Sequence, residues 1–206
     1  SCGSNAYECT LTYLERGEFD KAVSTATAVV ERAPRNVHAL TLLGIALTGV
    51  ERLDEANARF REAIRIDPAF HPALKELGIN EFRKGRLKEA LGPLLQVIKL
   101  GHADEATHLY VAEVYFAQQD MRAAIPHFEK SRNLLIRQPV SILHFAMTLL
   151  DQGEPEKAAA VLDQLPANDA MSRFEAGMAL GRAGAHVEAA RFFAGAGKTY
   201  PDPLAA

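Results

Sequence analysis

Seven histidines, two cysteines and 26 acidic residues are the side chains of this 206-residue chain that could do chemistry. Histidine binds metal or moves protons near neutral pH. Cysteine binds zinc or attacks as the thiolate. Paired carboxylates act as general acid and base. Each role needs a constellation, and the spacing supplies none. The histidines are His38, His71, His102, His108, His127, His144 and His186. No two stand four residues apart on one helix face, and none neighbours a cysteine as in a zinc site. His102 and His108 read as helix-end or packing residues. The glycines form no phosphate-cradling loop. With no strands expected, no serine can occupy a strand-to-helix elbow. The carboxylates fall on helix exteriors and in turns. The expectation is a chain with no catalytic residue, no metal and no cofactor.

The elements that would position any functional residue are legible from one column. Alanine stands at Ala22, Ala56, Ala90, Ala124 and Ala158, each 34 residues after the last, and at Ala189 after a step of 31. Other columns keep the step. Thr10, Gly44, Gly78, Ala112, Ala146 and Gly177 are all small, and just before them come Cys9, Leu43, Leu77, Val111, Phe145 and Ala176. Four residues after each ladder alanine come Ala26, Phe60, Leu94, Phe128, Leu162 and Phe193. Five residues before it come Gly17, Glu51, Gly85, Gln119, Gly153 and Gly184. Small residues let two helices of a hairpin approach closely, and large ones fill the space around them. Glycine before the second helix permits a tight turn between the two. Pro34, Pro68 and Pro201 stop second helices, because proline lacks an N–H and restricts the residue before it.

A 34-residue helix-pair period of this kind resembles the tetratricopeptide repeat. The second unit carries the pattern most fully: Leu40, Leu43-Gly44, Leu47, Ala56, Phe60, Ala63 and Pro68. The resemblance implies an all-α fold, a right-handed α-α superhelical solenoid of antiparallel helix hairpins. It covers residues 3–203 as one domain of six repeats: 3–36, 37–70, 71–104, 105–138, 139–169 and 170–203. Residues 1–6 read as a flexible start or an expression scar. Several positions depart from the pattern. Ala26 replaces a usual phenylalanine, and Glu81 replaces a usual tyrosine. The second helix of the fifth repeat is expected near Pro155 to Leu165, about three residues short.

Composition narrows the partner class. The chain is 48% hydrophobic and 24% charged, ordinary for a globular protein. A net charge of −3 provides no large electropositive field, which argues against nucleic acid. The densest basic run, Arg83, Lys84, Arg86 and Lys88, reads as a solvated turn. Two cysteines make no disulfide framework, and Cys9 reads as a small apolar residue. No apolar run is long enough to cross a membrane. The compartment stays open between cytoplasm and bacterial periplasm.

In the family that the chain resembles, the first helix of each hairpin lines an inner groove. Carried over by position, the groove here is expected to contain Thr41, Lys75, Phe82, Arg83, Leu109, Glu113, Phe116, Leu143, Met147 and Phe174. That lining is unusually apolar, and an exposed apolar strip marks an interaction site. Methionine and aromatic side chains suit an adaptable binding surface. The expected function is a non-catalytic scaffold that binds a partner peptide or helix. Lys75 alone cannot build the carboxylate clamp of some chaperone-binding members. Two other readings remain: a regulatory or targeting arm of a larger enzyme, envelope or secretion protein, and a self-assembling structural array. Self-association is expected through the last hairpin, with Phe192 and Phe193 exposed on its outer face.

Overall fold

The computed structural model describes residues 5–197. Among these, every regular element is an α-helix. The chain divides into two compact units, residues 1–103 and 104–206. In the first unit, α1 (Ala6–Glu15) pairs with α2 (Phe19–Arg32), α3 (Val37–Gly49) with α4 (Leu53–Ile66), and α5 (His71–Arg83) with α6 (Leu87–Lys99). In the second, α7 (Glu105–Ala117) pairs with α8 (Met121–Lys130), which is followed by the short α9 (Arg132–Leu135). There α10 (Pro139–Asp151) pairs with α11 (Pro155–Leu162), and α12 (Ala170–Arg182) with α13 (His186–Gly197).

Local chemistry sets where these helices start. Asn5 and Asn36 accept hydrogen bonds from the first free N–H groups of α1 and α3. Asp104, Asp120 and Asp169 do the same for α7, α8 and α12. Each such cap stabilises its helix by about 1 kcal/mol. Asn5 lies within the stretch expected as a flexible start. Residues 1–4 and the end of the sixth repeat, including Pro201, lie outside the described residues.

The turn column behaves as one conformational class. Gly17, Gly85, Gly153 and Gly184 all have φ between +70° and +81°. Glu51 and Gln119 share the left-handed backbone, with φ of 61° and 62°. Only glycine adopts that region without cost.

Every ladder alanine lies in a second helix, and all are at most 4% exposed. The small column lies opposite, on the first helices. A Cβ on Gly44 would come within 2.4 Å of the Phe60 ring, and one on Gly78 within 2.5 Å of Leu94. Phe60, Leu94, Phe128 and Leu162 are all fully buried, each contributing about 1.5–3 kcal/mol of apolar burial. Cys9 is buried too, but it is not a free thiol.

Two departures from regularity come from named residues. The second helix of the fourth repeat ends at Lys130 and resumes as α9. Ser131 sits between, completely buried, with its hydroxyl donating to the Phe128 carbonyl. Glu105 from α7 receives the Leu134 N–H at 2.9 Å and the Asn133 amide at 2.6 Å, and so satisfies the start of α9. In the fifth repeat α11 has 8 residues where α4 has 14, and it stops short of Leu165.

Glu81, in place of the usual tyrosine, is 1% exposed. Its Oε1 accepts from the Asn57 amide at 2.9 Å and from Arg61, and Arg86 approaches Oε2 at 3.6 Å. A buried carboxylate of this kind persists only because cations and amides replace its water.

Candidate functional site

The expected groove residues have different surroundings in the two units. In the first, Thr41 is 4% exposed, and its hydroxyl donates to the Val37 carbonyl at 2.7 Å. Its role there is packing. Lys75 and Phe82 are half-buried. Arg83 donates to both carboxylate oxygens of Glu51, at 2.8 and 2.9 Å. Lys84 pairs with one carboxylate oxygen of Asp54, and Arg86 lies 3.6 Å from Oε2 of Glu81. The basic run is therefore not simply solvated. Its first three members bind acids of their own unit, which sequence spacing gave no means to foresee.

In the second unit Leu109 is 3% exposed and serves the core. Glu113 is also buried; its Oε2 lies 2.6 Å from Nδ1 of His144. Phe116 stacks on the His144 ring, with centroids 4.2 Å apart. These residues form an internal cluster in which Oε2 of Glu113 already has a hydrogen-bond partner.

Leu143, Met147 and Phe174 are arranged differently. They line one groove between α10 and α12, together with Glu175, Met178 and Arg182. Leu143 forms the floor at 7% exposure, while Met147, Phe174 and Met178 are 41%, 48% and 41% exposed. The groove holds about 320 Å³. Past Phe174 a second cavity of about 590 Å³ is lined by Met171, Phe193 and Ala196. Three of the chain's four methionines thus surround Phe174. Met171 was absent from the expected groove, although its position three residues before Phe174 places it on the same helix face.

Phe192 was expected on the exposed outer face of the last hairpin. Instead it is completely buried. The guanidinium groups of Arg173 and Arg191 lie 5.2 and 5.3 Å from its ring centre, close enough for cation–π attraction. Phe193 is half-buried and packs against Phe174, with centroids 5.5 Å apart.

The histidines include two close pairs: the His71 and His102 rings stack with centroids 4.0 Å apart, and His108 meets His127. Nδ1 of His108 and Nδ1 of His127 are 3.0 Å apart. Burial, followed by the neighbouring His108 and Lys130, pushes His127 down to about 4. His108 is lowered as well, by burial and then Lys130, with Asp104 opposing. Among the described residues no three His, Cys, Asp or Glu side chains converge as a metal site would require. No helix among them is long and apolar enough to cross a membrane.

Residues 11–69, 47–105 and 143–202 match the sequence model of the tetratricopeptide repeat, together well over half of the chain. The chain belongs to the tetratricopeptide repeat family. Anaphase-promoting complex subunit 7 of Arabidopsis thaliana is similar to this repeat protein, 27% identical over 120 residues, covering 57% of this chain and 21% of that one. The peroxisomal targeting signal receptor of Saccharomyces cerevisiae is 27% identical over 90 residues, covering 44% of this chain and 15% of the receptor. The chain thus spans about a fifth or less of the length of these relatives.

Solved tetratricopeptide structures share the fold. YrrB, described as a TPR protein with an unusual peptide-binding site, has a TM-score of 0.75 at 18% identity, covering 87% of this chain and 94% of that one. PilF of Pseudomonas aeruginosa has a TM-score of 0.71 at 20% identity, covering 97% and 92%. MamA of Desulfovibrio magneticus RS-1 has 0.66 at 18%, covering 80% and 94%. At such identities the likeness concerns the fold alone. Tetratricopeptide repeats suggest a protein–protein interaction scaffold, and nothing in these likenesses names a partner.

Proposed function

We propose that this protein is a non-catalytic scaffold that receives a partner peptide or helix in the apolar groove between α10 and α12. The observation that carries the proposal is the joint exposure of Met147, Phe174 and Met178 above a buried Leu143. Exposed apolar clusters of this kind are costly in water and mark interaction sites. Methionine adapts its shape to a ligand at little strain, and an aromatic anchor supplies most of the area. The peptide-binding site attributed to YrrB supports the same type of work here. A second reading has one observation in its favour. The matching segments are 21% and 15% of the curated relatives' lengths, so the groove also suits the recruiting arm of a larger protein.

Peptide display against the whole chain tests the proposal. Selected binders lose affinity for Met147→Asp/Phe174→Asp, whose exposed positions leave the helix content unchanged. Binders that hold to this variant as tightly as to the parent contradict it.

A further inference from the structure

The two helices that flank the groove carry an apolar periodicity that extends beyond its lining. On α12, Met171, Phe174, Met178 and Gly181 follow at steps of three, four and three residues. On α10, Val140, Leu143, Met147 and Leu150 repeat the same steps. Val140 and Met171, at the start of each stripe, are 62% and 56% exposed. Such steps give each helix one continuous apolar face, the kind of surface on which another helix packs. The members of such a face recur about every 5 Å along the axis. An extended peptide instead places same-face side chains about 7 Å apart, out of step with the stripe.

Charges flank the seam at heptad spacing. Glu175 and Arg182 follow Phe174 and Gly181 directly, so they occupy equivalent flanking positions one heptad and about 10 Å apart. Charges at such positions choose partners and orientation in paired helices. Neither side chain has a hydrogen bond or ion pair among the described residues. Asp151 lines the Arg182 end too, but its Oδ2 accepts from the Gln152 amide at 2.9 Å.

We infer that the occupant is a single amphipathic α-helix of a partner protein, with an apolar seam flanked by a basic residue that meets Glu175 and, one heptad away, an acidic residue that meets Arg182. This rests on the groove reading above and adds the conformation and charge order of the ligand.

Two display libraries of 21-residue peptides, panned on the whole chain, test it. One has a leucine seam at heptad spacing and randomised flanks. The other has the same composition with a central proline pair that blocks helix formation. Binders are expected from the helical library only, enriched in a base and an acid seven residues apart. Glu175→Lys/Arg182→Glu then binds them about tenfold more weakly and prefers the charge-swapped peptides. Binders arising mainly from the proline library overturn the helical occupant, as does unchanged affinity of the charge-reversed variant. In either case the groove reading survives if Met147→Asp abolishes binding. Binding indifferent to Met147→Asp, or a helical library with no binders, overturns the inference. So does a concentration-dependent doubling of the chain's own mass that Met147→Asp abolishes, which would make a second copy the occupant.

Discussion

His108 and His127 meet through their Nδ1 atoms at 3.0 Å, a contact that one shared N–H satisfies. Full protonation of both rings would set two cations against each other, near Lys130. Tyr115 lies over His127 with ring centroids 5.9 Å apart, and Asp104 is the acid that favours a charged His108. In the fold His127 is pushed from the ordinary 6.5 down to about 4, by burial first. Between those values the unfolded chain binds more protons than the folded one. The stability at issue is therefore complete above the ordinary value and is lost as pH falls towards about 4.

The acid limb of stability is the measurable consequence. Thermal melts of the parent are expected to fall steeply between about pH 7 and about pH 4.5, and those of His127→Gln less so. Parallel pH profiles for the two proteins contradict the role given to the pair.

Helix approach gives a paired prediction. Gly44→Ala forces a methyl into the Phe60 ring, 2.4 Å away, and costs about 1–3 kcal/mol. Gly181→Ala, within α12, meets only the Ala189 Cβ at 3.8 Å, an ordinary contact, and gains about 0.5–1 kcal/mol of helix propensity. Urea unfolding of both variants checks the opposite signs.

Gln119 holds the left-handed turn conformation that glycine takes in four other repeats. Gln119→Gly relieves that backbone and is expected to stabilise the protein by about 1 kcal/mol. A lower melting temperature contradicts it. Glu51 is a poorer test, because its carboxylate also binds Arg83.

Steric rules made much of this fold legible. The ladder alanines, the small column opposite them and the glycine turns each follow from how closely two helices can pack. Of the ten residues that repeat register assigned to a groove, Leu143, Met147 and Phe174 line the cleft between α10 and α12, where a partner is proposed. The rest was hidden for physical reasons. Whether Arg83 or Glu113 is available to a ligand depends on which acid or histidine an adjacent hairpin brings against it, as Glu51 and His144 show. Burial of Thr41 and Leu109 depends on how deeply each first helix sits. Phe192 is buried as part of the core, with two arginines beside its ring, one from the neighbouring helix. Pairwise contacts of this kind leave no period in a sequence.

Methionine methyl resonances test the central claim most directly. The chain has four methionines, and Met147 and Met178 line the groove. Met121 lies outside it, its sulfur 3.8 Å from the buried Thr148 hydroxyl. Titrating methyl-labelled protein with a display-selected binder is expected to shift the Met147 and Met178 methyl signals and leave Met121 in place. Saturation with no change at Met147 and Met178 contradicts a partner groove between α10 and α12.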